Sequence, residues 1–143
     1  MRLHHIGLRC EDRWKTAKFF IDCFGYRPSS DKRLVKGEFN LRFPDKSTTK
    51  CLILEPSEKS YNTTLTKLLC PLDEVEYHLP FQLFLSDGSP DSIVGQWVKN
   101  KGGSNLHHLA FESDSVEEDM ERWQRLGYAE FTTDKPIECD EPD

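Results

Sequence analysis

The hexapeptide LHHIGL at residues 3–8 returns near the end of the chain as LHHLAF at residues 106–111, and this repeat decides the predicted fold. Each copy continues into acidic and polar residues, a stretch with helical periodicity, and a Gly-Tyr pair, at Gly25-Tyr26 and again at Gly127-Tyr128. A strand-plus-helix unit that recurs with histidine at the same register predicts two modules related by a pseudo-twofold axis, with a site between them. The alternative interpretation is that both His-His pairs are ordinary residues at the start of a strand.

The composition is that of a water-soluble chain with enough residues for one core. It has 143 residues, of which 36% are hydrophobic and 31% are charged, and its net charge is −6. Without a cluster of Lys and Arg, this charge argues against nucleic acid as a partner. No apolar run approaches the roughly 18 residues that a membrane span needs, and the N-terminus has no apolar stretch typical of a signal peptide.

The cysteines indicate a cytoplasmic protein with reduced thiols. Their number is odd and no two have the CxxC spacing of a metal knuckle, so neither a disulfide framework nor a zinc knot is predicted. They are Cys10, Cys23, Cys51, Cys70 and Cys139.

The first module is predicted to read β-α-β-β-β over residues 3–88. A strand at residues 3–9 places His5 and Gly7 on one face. A helix over about residues 12–24 is ended by Gly25. Its apolar stripe is predicted to contain Trp14, Ala17, Phe20 (or Phe19), Ile21 and Phe24.

Three more strands are predicted in this module, one within residues 33–43, one at residues 50–55 and one at residues 77–86. In the last of these, Phe81, Leu83 and Leu85 alternate with Gln82, Phe84 and Ser86. The polar connection at residues 57–76 is either a functional lid or an ordered insertion.

A linking helix is predicted within residues 89–103, with Ser89 as its N-cap, Pro90 at its first position and Gly102-Gly103 at its end. Its apolar side is expected to carry Ile93, Val94 and Trp97.

The second module, residues 104–143, is predicted to be incomplete. A strand at residues 106–112 precedes a helix that starts at Asp114-Ser115 and ends at Gly127, with Val116, Met120, Trp123 and Leu126 on one face. A further strand is predicted to begin at residues 131–133, and the acidic tail from Glu138 is expected to be mobile. About two strands would be missing relative to the first module. The chain could be truncated, the second module could be abbreviated, or another chain could supply the strands.

The register of the repeat places His5 and His108 at equivalent positions, beside the small residues Gly7 and Ala110. Gln82 is a polar side chain in an apolar strand. Two imidazoles and a carboxamide oxygen are plausible ligands for a divalent transition metal that keeps open coordination positions. The alternative for Gln82 is a surface position on an edge strand, while His4 and His107 are expected to face the helices.

The layout resembles the vicinal oxygen chelate (glyoxalase / bleomycin-resistance / extradiol dioxygenase) superfamily and, within it, is most similar to the methylmalonyl-CoA epimerases. Three blocks carry the resemblance: LHHIGLRCEDRWKTAKFFIDCFGY at residues 3–26, FQLFLSDGSPDSIVGQWVKNKGGSNLHHLAFESD at residues 81–114, and VEEDMERWQRLGY at residues 116–128. They cover about half of the chain. The resemblance implies an α+β fold in which paired βαβββ modules form a curved mixed sheet, here with an incomplete second module, in one glyoxalase-like domain over residues 1–143.

The resemblance also implies a metal site. The family's first three ligand positions fall on His5, Gln82 and His108, and the ion they hold would be Co, Mn, Zn, Ni or Fe. The fourth ligand is a glutamate on a final strand that is not found in these 143 residues. The family's catalytic glutamate on the third strand corresponds to Cys51, with Glu55 on the same face as the nearest carboxylate, so no residue is assigned as the base.

Two functions follow as expectations. The first is a divalent-metal-dependent enzyme, an epimerase-like isomerase or a lyase, that chelates adjacent oxygens of a small carbonyl or acyl-CoA substrate and stabilises an enolate. The second is a non-catalytic protein that binds a small molecule on the same fold, as resistance proteins do; a purely structural dimerisation domain is a third reading. A cytoplasmic homodimer is expected in each case, because an open sheet edge favours pairing.

Overall fold

Six strands and three helices lie in the two stretches of chain, residues 1–56 and 81–138, that this computed structural model describes. Their order is β1 (Arg2–Arg9), α1 (Arg13–Phe24), β2 (Arg27–Pro28), β3 (Glu38–Arg42), β4 (Thr48–Glu55), β5 (Gln82–Asp87), α2 (Ile93–Lys101), β6 (Asn105–Glu112) and α3 (Val116–Leu126). The predicted α+β class is confirmed. No helix within the described residues is both long enough and apolar enough to cross a membrane.

The strands form one mixed sheet in the order β2-β4-β5-β1-β6, with β3 pairing to β4. β1 and β5 are parallel, whereas β4 is antiparallel to β5, β3 and β2. Contacts divide the chain into two units, Leu3–Ala110 and a smaller one that joins Met1–Arg2 to Phe111–Asp143.

The larger unit has its core on the face of the sheet that α1 covers. Leu52 and Leu54 of β4 and Leu83 and Leu85 of β5 are buried there, because alternate residues of a strand point to the same side. Each such leucine contributes roughly 1.5–3 kcal/mol relative to an exposed one. Helix α1 adds Ala17, Phe20, Ile21 and Phe24 to this core, so Phe20 and not Phe19 belongs to the stripe.

Helices α1 and α3 repeat the same local structure, as the sequence repeat predicts. Asp12 and Ser115 cap their first turns with side-chain oxygens, and Gly25 and Gly127 end them in the left-handed conformation with φ of 72° and 73°. Only glycine adopts that conformation without a steric penalty. The tyrosines that follow differ: Tyr26 is 2% exposed and donates to the carbonyl of Phe81, whereas Tyr128 is 90% exposed.

The predicted start of the linking helix is wrong. The carbonyl of Ser89 accepts from the backbone N–H and the hydroxyl of Ser92, which forms a turn, and Ser92 itself caps the helix by accepting from the N–H of Gly95. The buried side of α2 is formed by Val94 and Val98, four residues apart, and not by Ile93 and Trp97.

Two further predictions are wrong, and one strand was missed. No strand occurs between residues 127 and 138, where Phe131 stacks on Trp123 and the Thr133 hydroxyl donates to the Lys135 carbonyl in a local turn. Trp14 is exposed and does not belong to the core stripe of α1, because its indole N–H donates to Glu38. The strand that was not predicted is the short β2, which pairs with the end of β4.

Residues 57–80, including His78, and the tail from Cys139 lie outside the described residues.

A half-enclosed cluster of charges joins the start of α1 to the sheet. Arg13 donates to Glu38 of β3 at 3.0 Å and to Asp87 of β5 at 2.8 Å, and the Trp14 indole N–H donates to the same Glu38 at 2.8 Å. Burial by itself raises the pKa of Glu38, but the hydrogen bonds from Arg13 and Trp14 outweigh it and hold that pKa below its ordinary value. The ionised carboxylate is therefore the form that the fold stabilises.

Glu38→Gln is expected to lower the free energy of unfolding by about 1–3 kcal/mol at pH 7, since a charged hydrogen-bond acceptor is lost. Because the folded-state pKa of Glu38 is depressed, its contribution is present above the unfolded pKa near 4.5 and disappears as the pH falls through the folded value. Urea denaturation at pH 7 and at pH 3 measures both effects. The exposed Glu121→Gln serves as the matched control, and an equal loss at both pH values would contradict the assignment.

Candidate functional site

The sheet face opposite the α1 core carries the residues of the candidate site. His5 of β1 is the direct partner of Gln82 on the parallel strand β5, and Gly7 is the partner of Phe84. Paired residues on adjacent strands point to the same side of a sheet. The predicted ligands His5 and Gln82 are therefore neighbours on one face, and within the described residues the Gln82 carboxamide has no hydrogen-bond partner.

His108 of β6 reaches the same place from the other side of β1. Its Nε2 lies 3.0 Å from Nε2 of His5, and the two rings meet edge to face with centroids 5.2 Å apart. The repeat predicts this meeting of residues 103 positions apart in sequence. His5 and His108 are thus in direct contact, and Gln82 is one strand away from that contact.

Gly7 makes room for the His108 ring. A Cβ atom built on Gly7 would lie 2.1 Å from Cε1 and 2.6 Å from Nε2 of His108, far inside van der Waals contact. The backbone of Gly7 does not need glycine for its conformation, because its φ is not positive. The absence of a side chain at this position is therefore required by the imidazole that lies over it.

The distance between the two imidazoles fits a shared metal ion. Imidazole nitrogens bind divalent transition metals at roughly 2.0–2.1 Å, so two nitrogens adjacent in one coordination sphere lie about 3 Å apart. The observed Nε2–Nε2 distance is 3.0 Å. A carboxamide oxygen on the neighbouring strand is a suitable further donor for a borderline metal, so the residues present fit the group.

The adjacent histidines extend this pair into a chain of four rings. Nδ1 of His4 lies 2.9 Å from Nδ1 of His5, and Nδ1 of His107 lies 2.9 Å from Nδ1 of His108. His107 also packs edge-on against Trp97 of α2, at 5.3 Å between centroids, as expected for a residue that faces the helices. Each predicted ligand thus has its Nδ1 against the histidine that precedes it.

Aromatic side chains lie beside the imidazoles. Phe84 stacks on the His5 ring with centroids 3.8 Å apart and an interplanar angle of 8°, and Phe39 of β3 meets Phe84 edge-on at 6.3 Å. Ile53 is the direct partner of Phe84 on β4. Phe84 was not predicted as a site residue, although its position two residues after Gln82 already put both on one face of the strand.

Partial desolvation and a nearby positive charge favour the neutral form of His107 and His108. Burial, followed by the positive charge of Arg9, lowers the pKa of His108 below its ordinary value. The same two causes, followed by the charge of His108, lower the pKa of His107. Arg9 itself lies 5.4 Å from the centre of the Trp97 ring. A neutral imidazole has the free lone pair that metal ligation requires.

Strand β4, which carries Cys51, does not supply a base at the position that the resemblance suggests. Cys51 is buried, and burial raises the pKa of its thiol to about 12, so it stays protonated at neutral pH. The carboxylate of Glu55 accepts from Arg27 Nε at 3.1 Å and from the Ser30 hydroxyl at 3.0 Å. Within the described residues, the cysteines Cys10, Cys23 and Cys51 form no disulfide.

Comparison with solved structures finds the same fold in methylmalonyl-CoA epimerases. A selenomethionine-labelled methylmalonyl-CoA epimerase is 17% identical, with a TM-score of 0.54 over 89% of this chain and 71% of the other. A Streptomyces coelicolor methylmalonyl-CoA epimerase variant in complex with 2-nitronate-propionyl-CoA is 19% identical, with a TM-score of 0.51 over 98% of this chain and 81% of the other. A methylmalonyl-CoA epimerase in complex with methylmalonyl-CoA and NH4+ is 20% identical, with a TM-score of 0.50 over 97% and 78% of the two chains.

A search of curated protein sequences finds no significant match. The family model described as Glyoxalase/Bleomycin resistance protein/Dioxygenase superfamily matches residues 4–140, which include both His-His pairs and the strand that carries Gln82. The repeat, the mixed sheet and this match agree, and the chain belongs to the glyoxalase / bleomycin resistance protein / dioxygenase superfamily.

Proposed function

We propose that this protein is a divalent-metal-dependent enzyme that acts beside a carbonyl group, as an epimerase-like isomerase. The observation that carries the proposal is the 3.0 Å separation of Nε2 of His5 from Nε2 of His108 on the sheet face opposite α1. His5, His108 and the neighbouring Gln82 would hold the ion. Once bound, a divalent ion supplies Lewis-acid chemistry that stabilises the negative charge of an enolate.

The remaining residues of the face would position the substrate. Phe84 stacks on His5 and fixes the plane of that ring, while Phe39 presents apolar surface next to Phe84. Such a surface excludes water from the reacting carbon and strengthens electrostatic interactions nearby. We propose a small carbonyl or acyl-CoA substrate, a choice supported by the complexes of similarly folded epimerases with 2-nitronate-propionyl-CoA and methylmalonyl-CoA.

A non-catalytic binding protein is the second candidate. It is favoured by Cys51, the residue that the resemblance aligns with the family's base, because burial raises the pKa of its thiol to about 12 and keeps it protonated. In this case the same face would sequester a small molecule without moving a proton.

We also propose that the protein forms a homodimer, with a cytoplasmic location as the expectation from its cysteines. β6 is the last strand of the sheet in the described residues, and its Leu106 and Leu109 are about half exposed. Open strand edges with apolar side chains favour pairing with another chain.

Proton exchange tests the enzyme proposal most directly. Wild-type protein loaded with Co²⁺ is expected to exchange the α-proton of methylmalonyl-CoA for deuterium in D₂O, as measured by mass spectrometry. The Gln82→Ala variant is expected to lose about 10–100-fold in metal affinity or activity, whereas Gln124→Ala, an exposed glutamine on α3, should match wild type. Failure of the wild type to bind any divalent ion would refute the metal mechanism, and tight ligand binding without exchange would favour the second candidate.

A further inference from the structure

The two predicted ligands have the same hydrogen-bonding arrangement at the nitrogen that points away from their contact. Nδ1 of His5 lies against Nδ1 of His4, and Nδ1 of His108 lies against Nδ1 of His107, at 2.9 Å in both cases. We propose that His4 and His107 are positioning residues, each of which accepts the Nδ1–H of the adjacent ligand and thereby directs its Nε2 lone pair to the metal. This inference rests on the metal-binding function proposed above.

Proton counting shows what the chain of rings does without a metal. A neutral imidazole carries one N–H and one lone pair, and each of the three ring contacts needs one donor and one acceptor. The donors must therefore all run in one direction along the chain. If His5 donates from Nε2 to His108, then His5 accepts at Nδ1 from His4, and His108 donates from Nδ1 to His107.

In that arrangement one ligand is ready for a metal and the other is not. The ring that donates through Nε2 has its lone pair at Nδ1, facing its neighbour, and the ring that accepts has its lone pair at Nε2. Metal ligation by both rings requires both lone pairs at Nε2. Two of the four rings, one ligand and the histidine before it, must then change tautomer. Each ligand then donates from Nδ1 to the histidine before it, with no net gain or loss of protons.

This final state is a common arrangement around protein-bound metals. A ligating histidine almost always donates its other N–H to a neighbouring acceptor, which fixes the ring orientation, and loss of that acceptor typically costs 10–100-fold in metal affinity. Here the acceptor is supplied by the residue directly before the ligand, so the His-His pair is a ligand together with its own orienting group. This explains why the dipeptide, and not a lone histidine, recurs in both modules.

The structure offers a second role for His107 that the test must separate. Its ring packs against Trp97 with centroids 5.3 Å apart, so its removal could act through packing alone. Asparagine distinguishes the two, because its Oδ1 occupies the place of Nδ1 and can accept the same hydrogen bond, whereas it has no ring to pack on Trp97.

The experiment combines calorimetry with long-range ¹H–¹⁵N NMR of the histidine rings. Zn²⁺ affinity is expected to fall about 10–100-fold in His107→Ala and to recover most of that loss in His107→Asn. The same pattern is expected at position 4, with a loss in His4→Ala and recovery in His4→Asn. In the metal-free wild type, one of His5 and His108 should be protonated at Nε2 and the other at Nδ1. In the Zn²⁺-loaded wild type, both should be protonated at Nδ1.

The outcomes separate this inference from the function it rests on. A wild type that binds no Zn²⁺ would overturn the proposed function. Wild-type binding that is equally tight in His4→Ala and His107→Ala would overturn the positioning role alone. So would equal losses in the alanine and asparagine variants, or a loaded spectrum in which the ligands are protonated at different nitrogens.

Discussion

Replacing Gly7 by alanine is expected to lower the affinity for a divalent metal by at least about 100-fold, the upper range for loss of a group that supports a metal ligand, while the chain stays folded. The added Cβ would lie 2.1 Å from Cε1 of His108, so the ring must leave its place over β1. His108 is exposed, and its ring can turn toward solvent without disturbing the core. Isothermal titration with Zn²⁺ measures the affinity, and urea denaturation measures the fold.

A double-mutant cycle shows whether the effect passes through His108. In a His108→Ala background the clash is gone, so Gly7→Ala should add little to the loss of affinity. Alanine at position 7 should then leave stability unchanged or raise it, because glycine is costly within a strand. Additive losses of affinity in the double variant would contradict the proposed contact, as would wild-type affinity in Gly7→Ala.

Leu52→Ala is expected to lower the free energy of unfolding by about 2–5 kcal/mol, the range for a buried leucine. Leu52 is 0% exposed and lies on β4 with Leu54, between the flanking strands and under α1. A loss of this size is a large share of the roughly 5–15 kcal/mol that keeps a domain folded. Urea denaturation followed by circular dichroism gives the value directly.

The matched control is Leu126→Ala, the same substitution at a residue that is 55% exposed at the end of α3. It is expected to change stability by less than about 1 kcal/mol, because little apolar surface returns to water. Equal losses in the two variants would show that Leu52 is not at the centre of the core. Folded Leu52→Ala protein should still bind Zn²⁺, since the leucine points away from the face that carries His5.

The local elements were accessible from sequence because their signals are local. Asp12 and Ser115 begin helices and Gly25 and Gly127 end them, as their capping chemistry predicts. Alternation also grouped Leu83 and Leu85 on one face of β5, and both lie in the core. The start of α2 was misplaced because Ser89 and Ser92 are both acceptable caps, and the choice depends on a turn that forms between them.

The family and the candidate ligands were also within reach of sequence, since the repeated dipeptide marks His5 and His108 and the polar position in an apolar strand marks Gln82. The distances between these ligands in space could not be predicted from the sequence. The 3.0 Å contact between two imidazoles depends on β1 lying between β5 and β6, and the space for it depends on Gly7 facing His108. The stacking of Phe84 on His5 and the burial that keeps the Cys51 thiol protonated depend equally on pairing between distant strands. Sequence periodicity specifies which face of a strand a residue occupies, whereas only the packed sheet brings residues of separate strands within hydrogen-bonding distance.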